Sequence, residues 1–255
     1  MKEKQRVEAT VWFCEHPIGV DKIVMTTDRL ANRFFKSPYI AFHDTPEGRL
    51  GTPFDSDSYS LIKNRVACGC TNYIISDRAR KSNHASLSVT LGIRKTVGKM
   101  VECDSFNVIS LGIETDLLIE SPALQRLYLD SIKSMIEQFD PVFAAVDDIA
   151  VASDMLRRAG ELTCYALDRI QTVYWGNYFG KEYCNAYGVD KLLSIPCFLS
   201  KPLANGVWLQ INDSLCKTSW ESTSEERRRI AQAFSIKLRD DANRERIRAK
   251  LTFRA

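Results

Sequence analysis

The sequence predicts an α+β protein: antiparallel sheets covered by helices, laid out as two similar β-α-β-β-α halves. Three observations carry this prediction. Short runs alternate apolar and polar residues at every second position, the period of a half-buried strand. Longer runs place apolar residues at helical spacing. The two kinds of run follow one another in much the same order in residues 1–150 and 151–255. These segments are taken as an N-terminal and a C-terminal α+β half, compatible with one compact domain, each with helices on one face of its sheet.

The first half opens on "VEATVWFCEH" (7–16), rich in β-branched and aromatic residues, which reads as a strand. Residues 20–35 place Val20, Ile23, Val24, Leu30, Ala31, Phe34 and Phe35 on one helical stripe. Residues 38–58, with prolines, glycines and many Asp and Ser residues, read as a long loop. A short helix over 58–67 holds Leu61, Ile62 and Val66. "HASLSVTLGIR" (84–94) and "SFNVISLGIE" (105–114) read as the two strands of a hairpin with a long connection. The clearest helix follows. Ser121 suits an N-cap, Pro122 the first helical position, and Leu124 to Phe139 continue one apolar stripe. "PVFAAV" (141–146) is a short buried strand.

In the second half, "IQTVYW" (170–175) reads as a strand and 180–194 as a helix interrupted near Gly188. "IPCFLS" and "GVWLQIN" form a hairpin turned at Asn205-Gly206. "STSEERRRIAQAF" starts with a capping box, Ser222 to Glu225. Ile230, Ala231 and Phe234 face inward there, with Glu225 and Arg229 paired on the outer side. A basic helical tail ends the chain.

"YWGNYFGKEY" (174–183) puts two glycines and a lysine where a strand gives way to a helix, as a phosphate-binding loop would. Such a loop needs four residues between its glycines and a Ser or Thr after its lysine. Gly176 and Gly180 enclose only Asn177, Tyr178 and Phe179, and Glu182 follows Lys181. The spacing, the missing metal ligand and the bulky aromatics reject a nucleotide site. Trp175, Tyr178, Phe179 and Tyr183 are read as structural.

Composition narrows the classes further. The 255 residues are 45% hydrophobic and 26% charged, with a net charge of +3, so bulk charge does not indicate a nucleic-acid binder. The charged start "MKEKQRVEAT" has no apolar core of a signal peptide, and no run reaches the length of a membrane span. The expectation is a cytoplasmic chain with no membrane contact. Its eight cysteines are then expected to be free thiols. Only Cys68 and Cys70 lie close together, with His84 the nearest histidine, which is too little for a zinc site. No metal and no cofactor are expected.

The stretch 173–213 resembles the C-terminal signature of bacterial type VI secretion immunity proteins of the immunity protein 52 type. The residues that carry the resemblance are Trp175 and Asn177, then Gly188, Leu192, Leu193 and Pro196, then Gly206, Val207, Leu209 and Gln210. It covers about the last third of the chain, and its residues are mostly structural. The resemblance implies a non-enzymatic antidote that binds and neutralises a cognate secreted toxin in the cytoplasm, with a nuclease effector as the leading partner.

Two other classes stand beside it: an enzyme using Cys68 or Cys70 with His84, and a nucleic-acid-associated protein using the tail "RDDANRERIRAKLTFRA". Acidic residues interleave that tail, so direct nucleic-acid binding is not expected. Self-association is compatible with everything read so far. For the toxin contact, the loop 42–60 offers Asp44, Glu47, Asp55 and Asp57 against a single arginine, with Phe42, Phe54 and Tyr59 as aromatic anchors. Such a loop could enter the basic cleft of a nuclease. The plainer reading is a solvated loop whose Asp, Ser and Pro residues shape turns.

Overall fold

The computed structural model describes residues 5–13, 20–42, 51–67, 72–77, 85–91, 94–97, 100–103, 107–148, 173–215, 220–235 and 252–254. In chain order, β1 (Arg6–Phe13) leads to helix α1 (Val20–Phe34), then β2 (Pro38–Phe42), β3 (Thr52–Pro53) and α2 (Ser58–Ala67). Next come β4 (Asn72–Asp77), β5 (Ala85–Thr90), β6 (Arg94–Val97), β7 (Met100–Cys103) and β8 (Asn107–Glu114). Helices α3 (Thr115–Glu120) and α4 (Pro122–Phe139) precede β9 (Phe143–Asp148). The remainder is β10 (Gly176–Phe179), α5 (Lys181–Tyr187), α6 (Val189–Leu193), β11 (Leu199–Leu203), β12 (Gly206–Gln210), α7 (Trp220–Ser235) and β13 (Thr252–Arg254).

The α+β class holds, and every strand pair is antiparallel. The layout differs from two separate halves. One ten-stranded sheet runs β11-β12-β10-β9-β1-β8-β5-β4-β2-β3, so strands of both segments share it, joined where β9 pairs with β10. A second sheet orders β13-β7-β6, which places the β6–β7 pair inside the long connection expected between β5 and β8.

Helices cover both faces of the large sheet, a correction to the one-face expectation. Val7, Ala9, Val11 and Phe13 of β1 are buried on one face. There Phe13 stacks on Phe139 of α4 at 4.5 Å, and Tyr128 of α4 donates to the Leu111 carbonyl at 2.9 Å. Helix α1 joins that layer through Phe34, whose ring meets Tyr128 edge-on. On the opposite face, Tyr183 of α5 packs against Phe143 and Phe179, and α7 sends Arg227 to Asp147 of β9.

Several boundaries moved for identifiable reasons. The expected 38–58 loop contains β2 and β3. Pro38 and Pro53 read as breakers, yet one begins a strand and the other lies on the sheet edge, where a missing N–H costs nothing. The 170–175 strand is displaced: β10 is Gly176–Phe179, the interior of the supposed phosphate loop. The second hairpin runs over Leu199–Leu203 and Gly206–Gln210. Its turn is centred on Ala204 and Asn205, with Ala204 at φ 47. Gly206 is needed for a different reason, because a Cβ there would stand 2.2 Å from the Phe179 carbonyl oxygen. Ser222 lies inside α7, which begins at Trp220, so the Ser222–Glu225 pair is not a capping box. Arg229 meets Glu226 at 3.6 Å rather than Glu225. β4 and α3 had no counterpart in the sequence reading. Of the basic tail 239–255, expected to be helical, Thr252–Arg254 form strand β13 instead, paired with β7, and the rest lies outside the described residues.

Helix α4 matches its expected start. The Ser121 hydroxyl accepts from the Leu124 N–H at 3.2 Å, Pro122 follows, and Asp140 closes the helix at φ 43. Ser121→Ala removes this cap and is expected to lower stability by about 1 kcal/mol. A urea unfolding midpoint checks this, with an unchanged midpoint counting against the cap.

Candidate functional site

Two regions carry the residues singled out in the sequence. The first lies around the N-terminus of α2. Thr52 and Pro53 are exposed, and Phe54 is half-buried, its N–H donating to the Pro38 carbonyl at 2.8 Å. Asp55 and Asp57 are exposed. The Asp55 carboxylate accepts from the Asp57 N–H (3.0 Å) and from the Ser58 hydroxyl (3.3 Å), which itself accepts from the Asp55 N–H. Asp55 thus shapes the start of the helix, while Asp57 keeps its carboxylate toward solvent.

Tyr59 donates a short hydrogen bond to Asp21 of α1, and Lys63 binds the same carboxylate oxygen at 2.8 Å while lying over the Tyr59 ring. The hydrogen bonds from Lys63 and Tyr59 hold the Asp21 carboxyl below the usual carboxylate range. Bonding to Asp21 in turn pushes the Tyr59 phenol and the Lys63 ammonium up. Sequence reasoning missed Asp21, because it sits 38 residues away on another helix.

Phe42 is not an available anchor. It is 6% exposed on β2, with its ring against Tyr73 and Arg65 over it. Strand alternation points it into the core, a consequence of β2 lying where a loop was expected. Asp44 and Glu47 lie outside the described residues. Phe54, Asp55, Asp57, Tyr59 and Asp21 therefore form the surface that the structure brings together.

The second region is the C-terminal signature, and its residues build one structural unit. Trp175 is fully buried, and its indole N–H donates to Asn212 Oδ1 at 2.9 Å. Asn177 closes the preceding turn, accepting from the Tyr174 N–H and donating to the Tyr174 carbonyl. Gly188 takes φ +88 between α5 and α6, a conformation that favours glycine. Leu192 and Leu209 are buried, and Leu193 packs against the core. The Pro196 carbonyl accepts from Arg229 Nη2 at 2.9 Å, and Gln210 donates to the Asn212 carbonyl at 2.7 Å. Tyr178, Phe179 and Tyr183 are buried as expected of structural aromatics. A Cβ at Gly180 would stand 2.1 Å from the Pro141 carbonyl oxygen, so this glycine serves a close backbone approach.

This unit surrounds an ion pair the sequence did not reveal. Arg227 Nη1 and Nη2 bind the two oxygens of Asp147 at 2.5 and 3.1 Å, and both side chains are fully buried. Arg227 also donates to the Val173 carbonyl and to Thr223, while Asp147 accepts from the backbone N–H groups of Trp175 and Asp148. Burial pushes the Asp147 carboxyl up, against the pull of the guanidinium and the two N–H groups. Burial beside Asp147 also pushes the Tyr174 phenol up to about 12. The signal was present in the spacing: Thr223, Arg227 and Ile230 share the inward stripe of α7.

Among the described cysteines, Cys184 and Cys197 are free thiols, both pushed up by burial, which weakens a thiol as nucleophile. Cys68, Cys70 and His84 lie outside the described residues. No group of three or more potential metal ligands is found among the described residues. No described helix is long and apolar enough to cross a membrane.

Among solved structures, the chain is similar to Pseudomonas aeruginosa T6SS protein PA0821, with a TM-score of 0.53 at 13% sequence identity. The two share a fold. The match covers 81% of this chain but 65% of that one, so the chain spans a little under two thirds of that protein's length. No family model matches the sequence, and no curated protein matches it.

Proposed function

We propose that the chain is an immunity protein of a type VI secretion system, which binds and neutralises a cognate antibacterial toxin in the cytoplasm. The observation that carries this reading is the shared fold with a type VI secretion protein over 81% of the chain. The resemblance of residues 173–213 to the immunity signature points the same way. The described part of that signature is buried or held in backbone hydrogen bonds, which suits a binding scaffold rather than a reacting centre. The reading is non-enzymatic and needs no cofactor.

The partner is a nuclease effector, and the contact surface is the segment at the start of α2. Asp55 and Asp57 are exposed there, Asp21 stands beside Tyr59, and Lys63 supplies the nearby positive charge. A nuclease must present a basic cleft to its substrate. An acidic surface fits that cleft and speeds association through long-range attraction. Phe54 and Tyr59, half-buried and fixed by the core, contribute contact area at low entropic cost.

Changing Asp44, Asp55 and Asp57 to Asn together is expected to slow association with the toxin about tenfold or more at low salt. The same change is expected to flatten the salt dependence of the rate. Surface plasmon resonance at two salt concentrations measures both. Parental rates and parental salt dependence would place the contact elsewhere.

A further inference from the structure

Helices α1 and α4 run antiparallel over the sheet. Lys22 lies over the Phe139 ring at one end of their seam, and Phe34 meets Tyr128 at the other. Between those ends, Thr26 and Leu30 of α1 meet Ser131 and Met135 of α4. Two of these four carry small hydroxyl side chains, where packed helices usually interdigitate larger ones. They leave a recess of about 10 Å³, room for one water-sized group. Arg29, Arg33 and Ser134 complete its lining. Both arginines are exposed, so the recess is reached from solvent.

Its positive charge is not neutralised by the protein. Arg29 and Arg33 stand four residues apart, neighbours on one helix face, where like charges repel. Arg33 lies in the last turn, where the negative end of the helix dipole answers one positive charge. Arg29 is a full turn earlier, and its Nη2 donates at 2.7 Å to Gln138 Oε1, a neutral amide. Among the described residues, no carboxylate lines the recess and neither arginine joins an ion pair. The nearby acidic residues are placed otherwise: Asp28 accepts from Asn32, Asp130 binds Lys133, and Glu137 is exposed outside the recess.

The hydroxyls divide in the same way. Thr26 and Ser131 donate to carbonyls of their own helices, those of Lys22 and Leu127, both at 2.8 Å. The half-buried Ser134 hydroxyl makes no such bond among the described residues, so its proton is free for an acceptor in the recess.

We infer that this recess binds the phosphate group of a phosphate monoester, held between Arg29 and Arg33. One oxygen enters the recess and accepts from Ser134, and the others accept from the two guanidinium forks at its mouth. Charge decides the class of ligand. Two guanidiniums match a dianion, and a phosphate monoester is mostly dianionic above its second pKa of about 6. A carboxylate carries half that charge and one oxygen fewer. The site lies in the C-terminal part of α1, away from Asp21 and the start of α2, and does not rest on the immunity reading.

The test titrates the full chain with N-acetyl-O-phosphoserine amide and with glycerol 3-phosphate, at fixed ionic strength and about pH 7.5, where both are dianions. The Arg29 and Arg33 Nε–Hε signals are followed by NMR. A saturable shift at both arginines is expected. Affinity is expected to fall about tenfold in Arg33→Gln, read at Arg29, and to fall in Ser134→Ala as well. Arg33 is exposed, so its replacement leaves the core intact, which thermal unfolding verifies. Tighter binding of the phosphoserine compound assigns the phosphate to a phosphorylated chain, and tighter binding of glycerol 3-phosphate assigns it to a small ester; both results support the site. No saturable shift, equal affinity in folded Arg33→Gln, or acetate binding as tightly as the esters would overturn the inference.

Discussion

Arg227→Met is expected to destabilise the protein by about 3–5 kcal/mol, the cost of leaving one member of a buried ion pair without its partner. The substitution removes the charge while keeping most of the volume. Asp147 would then be a fully buried carboxylate whose remaining partners are the backbone N–H groups of Trp175 and Asp148. The Val173 carbonyl would lose its donor as well. Asp147→Ala is expected to cost a similar amount, because it strands the guanidinium instead. The pair itself is not a source of large net stability, since burial opposes the charged form of Asp147. Combining Asp147→Ala with Arg227→Met should therefore cost less than the two single losses added together. A double-mutant cycle by chemical denaturation measures this, with a difference of about 1–3 kcal/mol expected. Simple additivity would mean that the two residues act independently and that the pair does not pin α7 to β9.

Trp175→Ala carries the second large effect, about 3–5 kcal/mol for emptying a large aromatic site in the core. Trp175 is fully buried, and its ring nitrogen holds Asn212, which in turn accepts from the Ser214 N–H. Its backbone N–H reaches Asp147, and its carbonyl accepts from the Ile211 N–H at 2.9 Å. The substitution leaves these backbone bonds possible but takes away the side chain that fixes their geometry. Trp175→Phe keeps most of the apolar volume and removes only the indole donor to Asn212, which still accepts from the Ser214 N–H, so it should cost clearly less. Equal losses for the two variants would show that the indole hydrogen bond, rather than packing, dominates this position.

What the sequence could and could not tell follows the range of the interactions. Helix α4 was legible because its cap, its proline and its apolar stripe all lie within the helix or one residue outside it. Strands β5 and β8 were legible because their alternation is local. β2 was not, because prolines and loop-like neighbours outweighed five residues whose strand character depends on pairing with β4. The burial of Phe42 was lost with it, and so the aromatic anchors narrowed to Phe54 and Tyr59. Arg227 was missed for the same reason at longer range: its partner lies 80 residues earlier, and a charged residue among other arginines looks solvated until that partner is placed. The signature around Trp175 was read as structural, and Trp175, Asn177, Leu192 and Leu209 are buried. Its function as the wall around a buried ion pair became visible only with the fold.

The central claim is that this chain protects a cell from a toxin by binding it. The most direct measurement is growth of a susceptible strain that expresses a nuclease effector found in the same genome, with and without this chain at matched expression. Restored growth with the chain, abolished when binding is abolished, is the expected result. Undiminished killing in the presence of the folded, well-expressed chain would contradict the account.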